Sequence, residues 1–238
     1  MIEPWNDEPT EYLDRGGNLV DIRKAVDDAG LKVVSMIALG GWIDAEGEEY
    51  ARVLDDCRRR FEQAAALGLP YIVASPPHGA VEIPRAAERY GELIRIGRQY
   101  GVKPSMEFLG FVEGVHTLES ARAIAEGSGE PEATIVADVF HLIRGGGTIE
   151  DLLAIDGRFL SIFHINDLPE TPPPREQTDA DRVMLKEGIA DLPRVIANLR
   201  TIGYKGPLSL ELFNPRLWQS DPVEVAREGL DRLKSLIF

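Results

Sequence analysis

Four side chains able to hold a cation or move a proton stand at the ends of apolar runs: Glu107 in Ser-Met-Glu-Phe, Asp138 in Val-Ala-Asp-Val-Phe-His, His164 in Phe-His-Ile-Asn-Asp and Glu211 in Ser-Leu-Glu-Leu-Phe. Taken singly, each has an ordinary explanation. A strand carboxylate can pair with a lysine or cap a turn, and a histidine can be a satisfied loop residue. Four of them on successive strands are harder to explain that way, because unpaired buried carboxylates are costly. In a closed parallel barrel such strand ends face one central space. Two glutamates, one aspartate and one histidine form an oxygen-rich set with a single nitrogen. That set suits one divalent metal ion, Mn²⁺ or Mg²⁺, with Zn²⁺ or Co²⁺ admitted on raw affinity.

The elements that must position these residues are legible from periodicity and punctuation. The β-branched run from Ile135 stops at Asp138, with His141 close behind; Gly145-Gly146-Gly147 then leads to Thr148, which caps a helical pattern over 149–154. Further strands are expected at 2–5, 31–38, 71–74, 102–108, 159–165 and 207–212. Helices are expected at 18–29, 46–67, 84–100, 117–126, 191–202 and from Asp221 to the end, several closed by glycine. Pro104 predicts an irregularity in its strand. Seven strands alternate with seven helices, which means a parallel sheet, doubly wound or closed as a barrel. No Gly-rich dinucleotide or Walker motif follows a strand. A closed barrel needs eight strands, so the first βα unit is expected to be missing, leaving a seam beside 2–5 for residues 6–17, a partner chain or upstream sequence to cover.

Composition narrows the partners. The 238 residues carry a net charge of −14, with a sequence pI near 4.8. This disfavours nucleic acid and anionic membranes, which require clustered Lys and Arg. Arg58-Arg59-Arg60 is one basic run within an acidic helix. Cys57 is the only cysteine, which excludes an intrachain disulfide and a cysteine zinc site. No apolar run reaches the roughly 18 residues of a membrane span, and residues 1–5 lack signal-peptide features. A cytoplasmic protein is the expectation, with homo-oligomerisation left open.

The residues also carry a family resemblance. Met106-Glu-Phe108, Ala137-Asp-Val-Phe-His141, His164-Ile-Asn-Asp167, Asp181-Arg-Val-Met-Leu-Lys-Glu-Gly188 and Leu210-Glu-Leu-Phe-Asn-Pro-Arg-Leu-Trp218 resemble the xylose-isomerase-like sugar isomerase and epimerase superfamily, over nearly the whole chain. The resemblance implies an α/β fold of the TIM-type (β/α) barrel class, as a single domain over 1–238 with seven visible βα units. It implies that Glu107, Asp138, His164 and Glu211 hold one divalent ion, and that His141 and Arg182 contact substrate. Two features depart from the pattern: the stretch after Arg182 has Val-Met-Leu-Lys where a Pro-Gly turn is usual, and the first βα unit is lacking. Apurinic-site endonucleases of the same superfamily hold three zinc ions with many histidines; four histidines and an acidic surface argue against that branch.

The chemistry so implied is isomerisation or epimerisation of a keto sugar or polyol ketone. The ion would polarise the carbonyl and stabilise an enediolate, while Glu107 and Glu211 exchange a proton with carbon from opposite faces. A metal-dependent dehydratase, acting on an inosose or on 3-dehydroshikimate, would use the same site and expel a β-hydroxyl. A catalytically degenerate sugar-binding barrel is the non-enzymatic alternative. Glu3 and Trp5, at a strand end, are candidate pocket residues, with a core role the blander reading for Trp5. Trp42 is weighed as a loop wall, and Asp167 as an orienter of His164 or the start of a turn. The polar, Pro-rich loop 166–190 is expected to act as a mobile lid.

Overall fold

A computed structural model describes residues 1–238. The residues gather into two units. The first comprises Met1–Phe108, Val112–Val115 and Glu119–Val136; the second comprises Leu109–Phe111, His116–Leu118 and Ala137–Phe238.

The first unit holds helices α1 (Asp7–Asp14), α2 (Leu19–Asp28), α3 (Gly47–Leu67), α4 (Ile83–Tyr100) and most of α5 (Leu118–Gly127), with strands β1 (Tyr71–Ala74), β2 (Lys103–Glu107) and the start of β3 (Thr134–Asp138). Asn18 starts α2 by accepting a hydrogen bond from the Asp21 amide at 2.9 Å, as its position before the apolar pattern predicts. Gly68 and Gly101 end α3 and α4 at φ of 74° and 70°, a left-handed turn that costs a side-chain-bearing residue more. Strands β1, β2 and β3 pair in parallel. The irregularity expected at Pro104 has a specific form. The Tyr90 hydroxyl sits 2.9 Å from Pro104 O and 2.8 Å from Thr134 O, and accepts from the Met106 amide at 3.1 Å. A side chain thus supplies polar partners where proline offers no N–H.

The two earliest strands exist only as isolated parallel bridges: Ile2 to Val33, Trp5 to Ile37, and Leu39 to Ala74 of β1. Residues 6–17, expected as a covering segment, form α1 and the turn after it.

The second unit takes over β3 at Ala137. It adds helix α6 (Val139–Arg144), strand β4 (Leu160–Ile165), helix α7 (Leu192–Thr201), strand β5 (Leu208–Leu210), and helices α8 (Pro215–Trp218) and α9 (Pro222–Ile237). β4 and β5 pair in parallel, with His164 opposite Ser209. The strands follow one another in chain order, β1-β2-β3-β4-β5, as consecutive βα units require. The pattern after Thr148 is a 3₁₀ helix, Ile149–Ala154, entered by a reciprocal Thr148–Asp151 capping box. Asp221 caps α9 through the Val223 and Glu224 amides at 2.8 and 3.1 Å. No helix is long and apolar enough to cross a membrane.

Candidate metal and substrate site

β3 delivers Asp138 to its end, where α6 begins without a loop. Asp138 Oδ1 caps α6 by accepting from the His141 amide at 2.9 Å. Its Oδ2 accepts from Asn166 Nδ2 at 2.9 Å and from Arg182 Nη1 at 2.8 Å. The capping reading and the chemical reading of this residue are therefore both correct, on different oxygens. His164, near the end of β4, is fully buried, with Nδ1 3.3 Å from Glu211 Oε2 and 3.9 Å from Asp138 Oδ2. Glu211 follows β5 directly, and its amide donates to Ile165 O at 3.4 Å. One ligand atom from each of Asp138, His164 and Glu211 lies within 4.8 Å of the others. Two carboxylates and an imidazole this close together, two of the three buried, fit one divalent ion.

Arg182 joins these groups. Nη1 donates to Asp138 Oδ2 and to Glu211 Oε2 at 2.7 Å, and Nη2 donates to Asp179 Oδ1 at 2.6 Å and faces His141 Nε2 at 3.0 Å. Its guanidinium carbon lies 4.8 Å from the Phe140 ring centroid and 5.1 Å from that of Phe213, so aromatic faces cover the charge. Burial works against the charged guanidinium, but Asp138, Glu211 and Asp179 more than compensate and raise its pKa. For Glu211 burial favours the neutral acid; His164 and Arg182 overcome it and hold the carboxyl well below the usual range. Burial pushes the His141 imidazole down to about 4, which leaves it neutral at neutral pH.

The loop that carries Arg182 is not a loose lid. Asp167 is fully buried, and its carboxylate accepts four backbone N–H groups: Leu168 at 2.9 Å, Lys186 at 3.1 Å, Gly188 at 3.0 Å and Ala190 at 3.0 Å. Asp167 and Val183 also exchange backbone bonds at 3.2 and 2.9 Å. Lys186 takes φ of 71°, a left-handed conformation, in the stretch where a Pro-Gly turn was the usual pattern. Gly188 is demanded by space, since a Cβ there would stand 2.2 Å from Leu168 O. Buried Gln177 donates to Pro169 O and Pro172 O at 2.7 and 2.6 Å. Where a mobile lid was expected, the structure has a hydrogen-bonded segment: charge and proline mark an irregular path, and its buried backbone donors find partners, while Gln177 Oε1 has none. Asp167 likewise serves this loop through its carboxylate, which is closer to the turn reading than to an orienter of His164.

The remaining candidates belong to the first unit. Glu107 ends β2, is buried, and accepts from Ser75 Oγ at 2.8 Å. Glu3 is partly buried and accepts from the Ser35 hydroxyl. Trp5 is 48% exposed, so it is not a core aromatic. Trp42 is fully buried against Tyr90, with ring centroids 5.7 Å apart, and does not serve as an exposed loop wall.

The profile of the family described as xylose isomerase-like TIM barrel matches residues 1–236. The chain belongs to that family. Among its curated relatives, the inosose isomerase of Bacillus velezensis is 30% identical over 242 residues, covering 98% of this chain and 86% of the relative. The 3-dehydroshikimate dehydratase of Pseudomonas aeruginosa is 22% identical over 96% of this chain and 36% of its own length. A crystal structure of the IolI protein with a binding zinc atom superposes with a TM-score of 0.90 at 25% identity, covering 99% of this chain and 87% of that one. An L-ribulose 3-epimerase structure, at 19% identity and a TM-score of 0.76 over 92% of this chain and 80% of that one, shares the fold. The α/β TIM-barrel class and the family expected from the motifs are thus both established for the xylose isomerase-like chain.

Sequence reading missed several residues that build this site. Asn166 bridges Asp138 and the Phe140 amide, donating to the first and accepting from the second at 3.0 Å. Asn214 donates to Arg182 O at 3.0 Å, and the Gly110 amide donates to His141 Nδ1 at 3.2 Å. The asparagines stand within the His164–Asp167 and Leu210–Trp218 motifs. Gly110 had no signal, because its contribution is a backbone N–H.

Proposed function

We propose that this xylose isomerase-like chain is a divalent-metal-dependent isomerase or epimerase of a keto sugar or polyol ketone. The observation that carries this reading is the close approach of ligand atoms from Asp138, His164 and Glu211, beside the hydrogen-bonding groups of His141 and Arg182. The zinc atom in the IolI crystal structure and the inosose isomerase relatives support it. Asp138, His164, Glu211 and, by its strand position, Glu107 would hold the ion; a bound divalent cation supplies Lewis-acid polarisation of a carbonyl. Mn²⁺ or Mg²⁺ suits the oxygen-rich set, and the IolI structure favours testing Zn²⁺ equally.

The chain's own groups then divide the work. Glu211 is kept ionised, the form in which a carboxylate accepts a proton. Glu107 would be the second acid–base group, the one that returns the proton. His141, neutral, donates from one nitrogen to a substrate oxygen; Arg182 holds a second oxygen, and Glu3 and Trp5 line the pocket. Residues 1–238 act as a single barrel domain, a reading supported by the family match over 1–236.

The dehydratase relatives support a second reading, a lyase that starts with the same proton abstraction. Both are tested by metal-loaded protein incubated with candidate ketoses, inososes and 3-dehydroshikimate, with products read by mass spectrometry. In D₂O, isomerisation incorporates deuterium without loss of water, dehydration removes one water, and an unchanged mass means no turnover. Metal-dependent binding of a sugar without turnover would mark a degenerate barrel and refute both.

A further inference from the structure

Arg182 donates to the two carboxylates that the metal reading assigns to the ion. Nη1 stands 2.8 Å from Asp138 Oδ2 and 2.7 Å from Glu211 Oε2, so one nitrogen bridges the two carboxylates. A second, independent observation concerns the other end of the guanidinium. Nη2 faces His141 Nε2 at 3.0 Å, while the Gly110 amide donates to His141 Nδ1 at 3.2 Å. A neutral imidazole has one donor and one acceptor nitrogen, and arginine only donates. Two N–H groups therefore converge on a ring that can accept from one of them, whichever tautomer it adopts. The Gly110 donor is fixed by the backbone, so the Nη2 hydrogen turned towards His141 is the one left without an acceptor, while Nη2 keeps its bond to Asp179 Oδ1 at 2.6 Å.

We infer that Arg182 is the site's internal counter-ion, bridging Asp138 and Glu211, and that a divalent ion must compete with it for those oxygens. The inference rests on the metal reading above and adds a cost to metal entry. Two cations sharing carboxylate oxygens in a buried site repel strongly, because little water screens them. Loading thus moves the guanidinium off at least one carboxylate, and a substrate oxygen can then accept from both Nη2 and His141 Nε2–H. The movement is confined to the side chain. Asn214 holds the Arg182 carbonyl at 3.0 Å and Asp167 fixes the following residues, while Phe140 and Phe213 cover the guanidinium and Asp179 Oδ1 anchors its Nε at 3.1 Å and Nη2 at 2.6 Å, which leaves Nη1 as the end that moves.

The test is metal affinity, measured by titration calorimetry with Zn²⁺ and Mn²⁺ on metal-stripped wild type and on Arg182→Met and Arg182→Lys. Circular dichroism checks that each variant is folded. Arg182→Met keeps the length and removes the charge, and it is expected to bind both ions at least tenfold more tightly than wild type. Arg182→Lys is expected to stay within a few fold of wild type. In ¹⁵N spectra, the Arg182 side-chain resonances of the wild type should shift on Zn²⁺ saturation. Equal or weaker binding by a folded Arg182→Met, with wild-type binding intact, would overturn the counter-ion role and leave the metal reading standing. If neither protein bound either ion, both would fall. Should Arg182→Met not fold, the wild-type spectra decide alone: unshifted Arg182 resonances at saturation would refute the inference.

Discussion

The loop 166–190 and the segment 2–39 reverse what their sequences suggest. The loop has no regular strand or long helix and is full of prolines and charges, yet Asp167, Gln177 and Arg182 are all fully buried within it. The early segment reads as two strands and a helix. Its strands make only the isolated bridges at Ile2, Trp5 and Leu39, and Trp5, Tyr12 and Val20 remain exposed. The difference lies in where backbone polar groups find partners. One carboxylate accepting four N–H groups can organise eight residues of irregular chain. The early strands are held instead by scattered backbone bonds, among them Ile2 N–H to Lys32 O at 2.9 Å and Ile37 N–H to Pro4 O at 3.1 Å, which bury Met36 and Leu39 and leave Trp5 exposed.

The sharpest way to break this contrast is to remove the organising carboxylate. Asp167→Ala leaves four N–H donors without their acceptor, one in a buried bond and three in part-buried ones, and a loss of about 3 kcal/mol in unfolding free energy is expected. Hydrogen exchange should rise across 183–190 and leave α3 unaffected. Loss of exchange protection throughout would mean that the loop is not a local unit.

Smaller effects are expected from the early segment. Glu3→Gln weakens the bond from the Ser35 hydroxyl, with an expected cost of about 1 kcal/mol in thermal unfolding. Trp5→Ala is expected to cost the least stability, within about 0.5 kcal/mol, because half of the side chain is already in water. If Trp5 lines the pocket, KM should still rise several-fold while kcat holds. An unchanged KM would remove Trp5 from the substrate contacts and make the contrast between the two regions complete.

Much of the architecture was legible. The caps at Asn18 and Asp221, the terminating Gly68 and Gly101, and the apolar runs that became β1 to β5 all act through local physics that a sequence displays directly. Asp138, His164 and Glu211 were legible for a related reason: polar residues ending buried runs stand out against their surroundings. Helix α1 was not read, because Asn6 makes no side-chain cap bond. The sequence left Asp167 between an orienter of His164 and a turn residue, and the reach of its turn role was hidden because its partners lie up to 23 residues ahead and contribute backbone, which has no letter in a sequence. Burial of Arg182 was hidden for the same reason, since it depends on Asp138, Asp179 and Glu211 converging from separate elements.

The most direct measurement of the central claim is deuterium incorporation at the carbon next to the carbonyl of a turned-over ketone, followed in D₂O with metal-loaded wild type, Glu107→Gln and Glu211→Gln. The account predicts metal-dependent incorporation by the wild type, abolished by chelation, and turnover lowered about 10²–10⁴-fold in each variant, the range for lost general acid–base groups. Turnover without any exchange into the α-carbon would contradict it, as would wild-type rates in a folded Glu211→Gln protein.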